Sequence, residues 1–123
     1  MRFNQSIIQH LFETKFWDTL EQTVSQDVMS LDADEYMTEF DTPVDNLELD
    51  CIERIHIDSF DIEKDGDESI VSGEMEIHAE VDGFAYHDGE TFAVGSSLLV
   101  LGYAFSFTEC DGSFDALYLE HIY

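Results

Sequence analysis

The chain has 123 residues, with 29 Asp and Glu against 4 Lys and Arg, a formal charge of −25. That balance excludes direct binding to nucleic acid, because the phosphate backbone would repel the whole surface. Hydrophobic residues at 44% and aromatics at 13% exclude a disordered chain in spite of the charge.

The length fits a single domain over residues 1–123 that buries a core of its own. No basic n-region opens the chain, so no signal peptide is expected. Cys51 and Cys110 have neither the spacing of a metal motif nor the density of a disulfide scaffold. Reduced thiols in a bacterial or phage-infected cytoplasm are the expectation. A net charge of about 2 to 8 already keeps a small domain soluble, so the excess here needs another reason. A high-salt habitat would be one, but ten Phe fit an ordinary core.

Residues 4–29 predict one long amphipathic helix. Ile8, Phe12, Phe16, Leu20, Val24 and Val28 recur every fourth residue, and Ile7, Leu11 and Trp17 widen the stripe. Residues 31–50 form an acidic connection with no base. Its acids include Asp32, Asp34, Glu35, Glu39 and Asp41, and Tyr36, Met37 and Phe40 could anchor a short helix before Pro43.

A first strand is expected over Leu49 to Glu63. Ile55 and Ile57 point one way and Phe60 and Ile62 fall in the opposite phase, which a bulge near Ser59 would reconcile. Asp65-Gly66 then marks a hairpin. From Ile70 to Asp82 the alternation is strict. Val71, Gly73, Met75, Ile77, Ala79 and Val81 face in, while Ser72, Glu74, Glu76, His78, Glu80 and Asp82 face out. Residues 83–90 read as a loop that Phe84 and Tyr86 could shorten.

Thr91 to Thr108 is free of charge and bracketed by Asp88-Gly89 and Asp111-Gly112. It reaches the lower length limit for a membrane helix. Its glycines and serines, its β-forming residues and the lack of flanking Lys or Arg favour a strand instead. A straight strand that long would span about 60 Å, so Gly95 and Gly102 are expected bends or bulges. A last strand follows from Ser113 to Tyr123. The fold class expected is α+β: a long N-terminal helix packed on the concave face of a curved, four-stranded antiparallel meander spanning 51–123.

No catalytic constellation stands out, and no cofactor or metal is called for. Asp61, Glu63, Asp65, Gly66 and Asp67 approach a calcium loop, but Ser72 stands where a carboxylate belongs and strands replace the helices. Weak cation binding near Asp61–Asp65 stays open. His56 and His78 could come together on paired strands without the further ligands zinc needs. Carboxylates are so many that a close pair carries no catalytic signal.

The acidic face is the remaining feature. Glu74, Glu76, Glu80 and Asp82 lie on one side of one strand, and Asp58, Asp61 and Glu63 on the neighbouring strand extend the array. Such a surface could occupy the Lys/Arg groove of a nucleic-acid-binding protein and release counterions much as DNA does. In size and acidity the chain resembles the DNA-mimic inhibitors of phages and mobile elements, including antirestriction and anti-CRISPR proteins. The resemblance implies a non-enzymatic inhibitor of a nuclease or surveillance complex, with that basic complex as partner and no membrane. Immunity proteins against basic nuclease toxins share the size and acidity. Acidic secretion chaperones do too, although they dimerise and use apolar grooves. A homodimer stays open.

Overall fold

In a computed structural model the structure describes residues 4–32, 40 and 44–123. Helices α1 (Gln5–Glu13) and α2 (Trp17–Met29) precede strands β1 (Asn46–Asp65), β2 (Glu68–His87), β3 (Glu90–Cys110) and β4 (Ser113–His121). The strands form one antiparallel sheet in the order β1-β2-β3-β4. Of the described residues 64% lie in strands and 21% in helices, so the fold is mostly β rather than α+β.

The single long helix expected over 4–29 is not there. Asn4 caps α1 by accepting the amide of Ile7 at 2.9 Å. The helix stops at Thr14, whose hydroxyl donates back to the His10 carbonyl at 2.7 Å. The Phe16 amide then reaches Leu11 at 2.8 Å before α2 begins. The apolar spacing itself requires the break. Every fourth residue of a helix overshoots a full turn by about 40°, so five steps from Ile8 would carry Val28 roughly 200° round a straight rod. Interrupting the rod at 14–16 resets the phase. Ile8, Phe12, Phe16, Leu20, Val24 and Val28 are all buried as a result.

Both helices pack mainly on β1 across one face of the sheet. On that inner face Val71, Met75, Ile77, Ala79 and Val81 of β2 lie beside Leu101, Tyr103, Phe105 and Phe107 of β3. Phe12 meets Phe105 edge-on at 5.2 Å, and Phe16 meets Phe107 at 5.2 Å. Inside this layer the Tyr103 hydroxyl donates to Asp27 Oδ2 at 2.7 Å.

Three two-residue turns join the strands. Gly66 (φ 64°) opens the first. Asp88-Gly89 and Asp111-Gly112 make the others with both residues at positive φ, the mirror-image geometry that matches strand twist. The second pair of strands runs on to His87 and resumes at Glu90, so residues 83–90 are not a loop. At the other end β1 starts at Asn46, inside the expected acidic connection.

β1 carries three bulges. Its register against β2 skips Asp50, Glu53 and Asp58, and each is the extra residue where two face one. The inward positions Leu47, Leu49, Ile52, Ile55, Ile57, Phe60 and Ile62 are therefore spaced by three residues at each bulge and by two elsewhere. The bulge at Asp58 is the one the phase of Phe60 and Ile62 requires. A further bulge sits at Val94 beside Gly95, and another in β4, where Ala116 has φ 57°.

Candidate functional site

The sheet face opposite the helices carries the expected acids. On β2, Ser72, Glu74, Glu76, His78, Glu80 and Asp82 form one column, alternate to the buried residues. In register with it stand Asp61, Ser59, His56, Arg54, Cys51 and Glu48 of β1, and Glu63 lies across from Ile70. The His56 imidazole, whose position is across from Glu76, lies 3.3 Å from Asp58, so this bulge residue also reaches the acidic face. Asp32 follows α2, the helix on the opposite side of the sheet. Asp34, Glu35, Glu39 and Asp41 lie outside the described residues.

The bulges enlarge the array beyond what alternation predicts. Asp50 and Glu53 join Glu80, whose carboxyl is pushed above its usual range by burial and then by those two neighbours. The same crowd, again after burial, raises the Cys51 thiol. Among the described residues the carboxylate oxygens of Asp50 and Glu80 and the Cys51 sulfur lie within 4.8 Å of one another. Glu48, Asp50 and Glu53 are thus members of the face, although simple alternation along the chain does not place them there. The three-residue steps Leu49, Ile52, Ile55 were the available signal.

The individual acids are tied down to different degrees. Ser96 donates to Asp82 at 2.7 Å, and the Tyr123 hydroxyl donates to Glu76 at 3.2 Å. His56 approaches Asp58 at 3.3 Å, and His78 approaches Glu76 at 3.7 Å. The two histidines do not face each other: His56 pairs with Glu76 and His78 with Arg54. The calcium-like stretch is a strand, a two-residue turn and a strand. Cys51 and Cys110 are free. Cys51 faces Glu80, while Cys110 ends β3 beside Ser113, about 40 Å away along the strands.

Gly102 is not the expected bend. Its N–H and C=O bond to the tail at Tyr123 and Ile122, at 2.8 and 2.9 Å. The absent side chain leaves room for the Tyr123 ring, which a Cβ there would approach to 2.4 Å.

The face is not polar throughout. Across from Glu80 and His78 stand Leu98 and Val100 of β3, 50% and 45% exposed. The outer face therefore has an acidic half on β1 and β2 and an apolar strip on β3. Among the described residues no helix is long and apolar enough to cross a membrane. No family model, curated protein or solved structure matches this chain.

Proposed function

We propose that this is a non-enzymatic inhibitory binding protein. Its acidic face would occupy the basic nucleic-acid site of a nuclease or of a CRISPR- or restriction-type complex, in a bacterial or phage-infected cytoplasm. The observation that carries the reading is the crowding of Asp50, Glu53 and Asp58, from three separate bulges, beside the Glu74–Asp82 column. An ordinary solvated face alternates charge signs. Here the one Lys or Arg whose register position falls on the β1–β2 face is Arg54.

Like charges held this close on neighbouring strands repel one another, and burial, then Glu53 and Asp50, push the Glu80 carboxyl up. A surface of Lys and Arg removes that repulsion and liberates the counterions of both partners, which supplies affinity without shape-specific chemistry. Strands hold the charges at fixed spacing, so little ordering entropy is lost on binding.

A pull-down from host lysate at low and then moderate salt, with mass spectrometry of the eluate, tests the reading. The expected result is a nuclease or nucleic-acid-binding complex that salt releases and DNA or RNA displaces. Capture of a toxin nuclease would favour the immunity reading. A secreted effector held through salt would favour a chaperone.

A further inference from the structure

The apolar strip on the outer face runs in register with the acidic column beside it. Glu80 stands opposite Leu98, His78 opposite Val100 and Glu76 opposite Gly102. At Gly102 the Tyr123 ring continues the strip, in the place where a side chain would stand. Tyr118, across from Ser106 on β4, faces the same way. Leu98, Val100, Tyr123 and Tyr118 are each 45% exposed or more.

Apolar residues exposed one at a time are ordinary, whereas a contiguous row marks an interaction site. Outward residues recur about every 6.6 Å along a strand, and neighbouring strands lie about 4.8 Å apart. Leu98, Val100 and the Tyr123 ring therefore form one row, a single strand spacing from the carboxylates. Whatever covers the row must also meet the charge at its border, because a carboxylate buried without a cation is costly.

We infer that this face presents the pattern of an unpaired nucleic-acid strand, and that its partner is the basic groove of a single-strand-binding protein. The inference rests on the acidic-face reading and narrows its partner. A duplex shows a protein phosphates along both walls of a groove, with polar base edges between them. An unpaired strand shows one charged backbone and, beside it, the flat faces of its bases. Proteins that bind such strands follow the backbone with Lys and Arg and stack the bases on aromatic side chains. Here β1 and β2 supply the charged side, and Leu98, Val100 and Tyr123 supply the apolar one.

Charge complementarity selects this occupant over a second copy of the chain. A second copy would bring more carboxylates towards Glu76, Glu80 and Asp82, which border the strip. A groove of Lys and Arg interleaved with aromatic rings satisfies both halves at once. Its cations meet the column and its rings cover Leu98 and Val100. A Lys or Arg placed over the exposed Tyr118 or Tyr123 ring gains a cation–π contact as well.

Two peptides of equal length test this, one of alternating Lys and Trp and one of alternating Lys and Ala, titrated calorimetrically into the whole protein. The Lys-Trp peptide should bind roughly tenfold tighter or more. Both affinities should fall as NaCl rises from about 50 to about 200 mM, while the difference between them persists. Leu98→Thr with Val100→Thr keeps β-forming residues on the strand. It should remove most of that difference and leave the Lys-Ala affinity and the circular dichroism unchanged. Glu76→Gln with Glu80→Gln should weaken both peptides alike. Equal affinities in the parent, or a difference undiminished by Leu98→Thr with Val100→Thr, would overturn the inference and leave the acidic-face reading standing. Failure of both peptides to bind at the lowest salt would remove the acidic face and this inference together. A target captured from lysate should be released by oligo(dT) at lower concentration than by a duplex of the same length, and the reverse order would sink the inference alone. A dimer that Leu98→Thr with Val100→Thr abolishes would give the strip to a second copy instead.

Discussion

The ring of Tyr123 lies across the backbone of Gly102, and its hydroxyl reaches Glu76 at 3.2 Å on the next strand. The tail thereby packs over the outer face at Glu76, within the acidic column, and ties it to β3. Gly102→Ala would put a methyl 2.4 Å from the ring. The ring is free to swing away, at the loss of its packing and its bond to Glu76. Urea denaturation should show a cost of about 0.5–1.5 kcal/mol for Gly102→Ala. Tyr123→Phe, which removes only the hydroxyl, should cost less. Equal stability of Gly102→Ala and the parent would mean the ring is not seated there.

Tyr103 is fully buried and donates to Asp27 at 2.7 Å. Tyr103→Phe keeps the ring packing and leaves the partly buried carboxylate short of a donor. The expected loss is about 1–3 kcal/mol in chemical denaturation. A double-mutant cycle with Asp27→Ala should show coupling, because the second change removes the stranded acceptor. Burial and then Asp27 raise the Tyr103 phenol well above its usual value of 10. Stability from this group is complete below pH 10 and falls as the unfolded chain ionises above it. Absorbance titration of the folded protein should find this phenol among the last to ionise.

Acidification should stabilise the fold over part of its range. Glu80 has a raised folded pKa, so between about 4.5 and that value the folded state binds more protons than the unfolded one. Stability from this group is full below the unfolded value and is lost as pH rises through the folded one. Thermal melts should therefore give a Tm that rises as the pH falls from 7.5 towards 4.5. Glu80→Gln should raise the Tm at pH 7.5 and flatten the dependence. A Tm that falls steadily from pH 7.5 to 4.5 in the parent would remove the crowding of Glu80 with Glu53 and Asp50 from the account.

Charge reversal separates binding from folding. Glu74, Glu76 and Glu80 all project from the face that the helices leave open. The triple change to Lys should leave the circular dichroism spectrum intact and abolish capture of a basic target, since surface substitutions cost little in stability. Capture undiminished in that variant would take this face out of the function. The parent's affinity should fall steeply with salt.

The periodicities of the chain were legible without coordinates. The strict alternation from Val71 to Asp82 assigns Glu74, Glu76, Glu80 and Asp82 to one face, because successive side chains of a strand must point to opposite sides. The three Gly-containing turns and the buried set from Ile8 to Val28 were legible for similar reasons. One conflict was visible too: a strict four-residue repeat over that length cannot stay on one side of a straight helix.

What the sequence by itself determined is therefore the buried stripe from Ile8 to Val28, the inward side of Val71 to Val81, where the chain turns, and that the surface is overwhelmingly acidic. These follow from local periodicity and composition. Only the tertiary structure decided that the helix breaks at 14–16 and that Asp50, Glu53 and Asp58 are bulge residues. It also decided that Gly102 serves a tail twenty residues downstream, and that β4 is too short to cover β3. Each of these depends on which strand lies beside which and in what register. Strand register is a contest between distant segments for the same backbone hydrogen bonds and the same core, and no local pattern records its outcome.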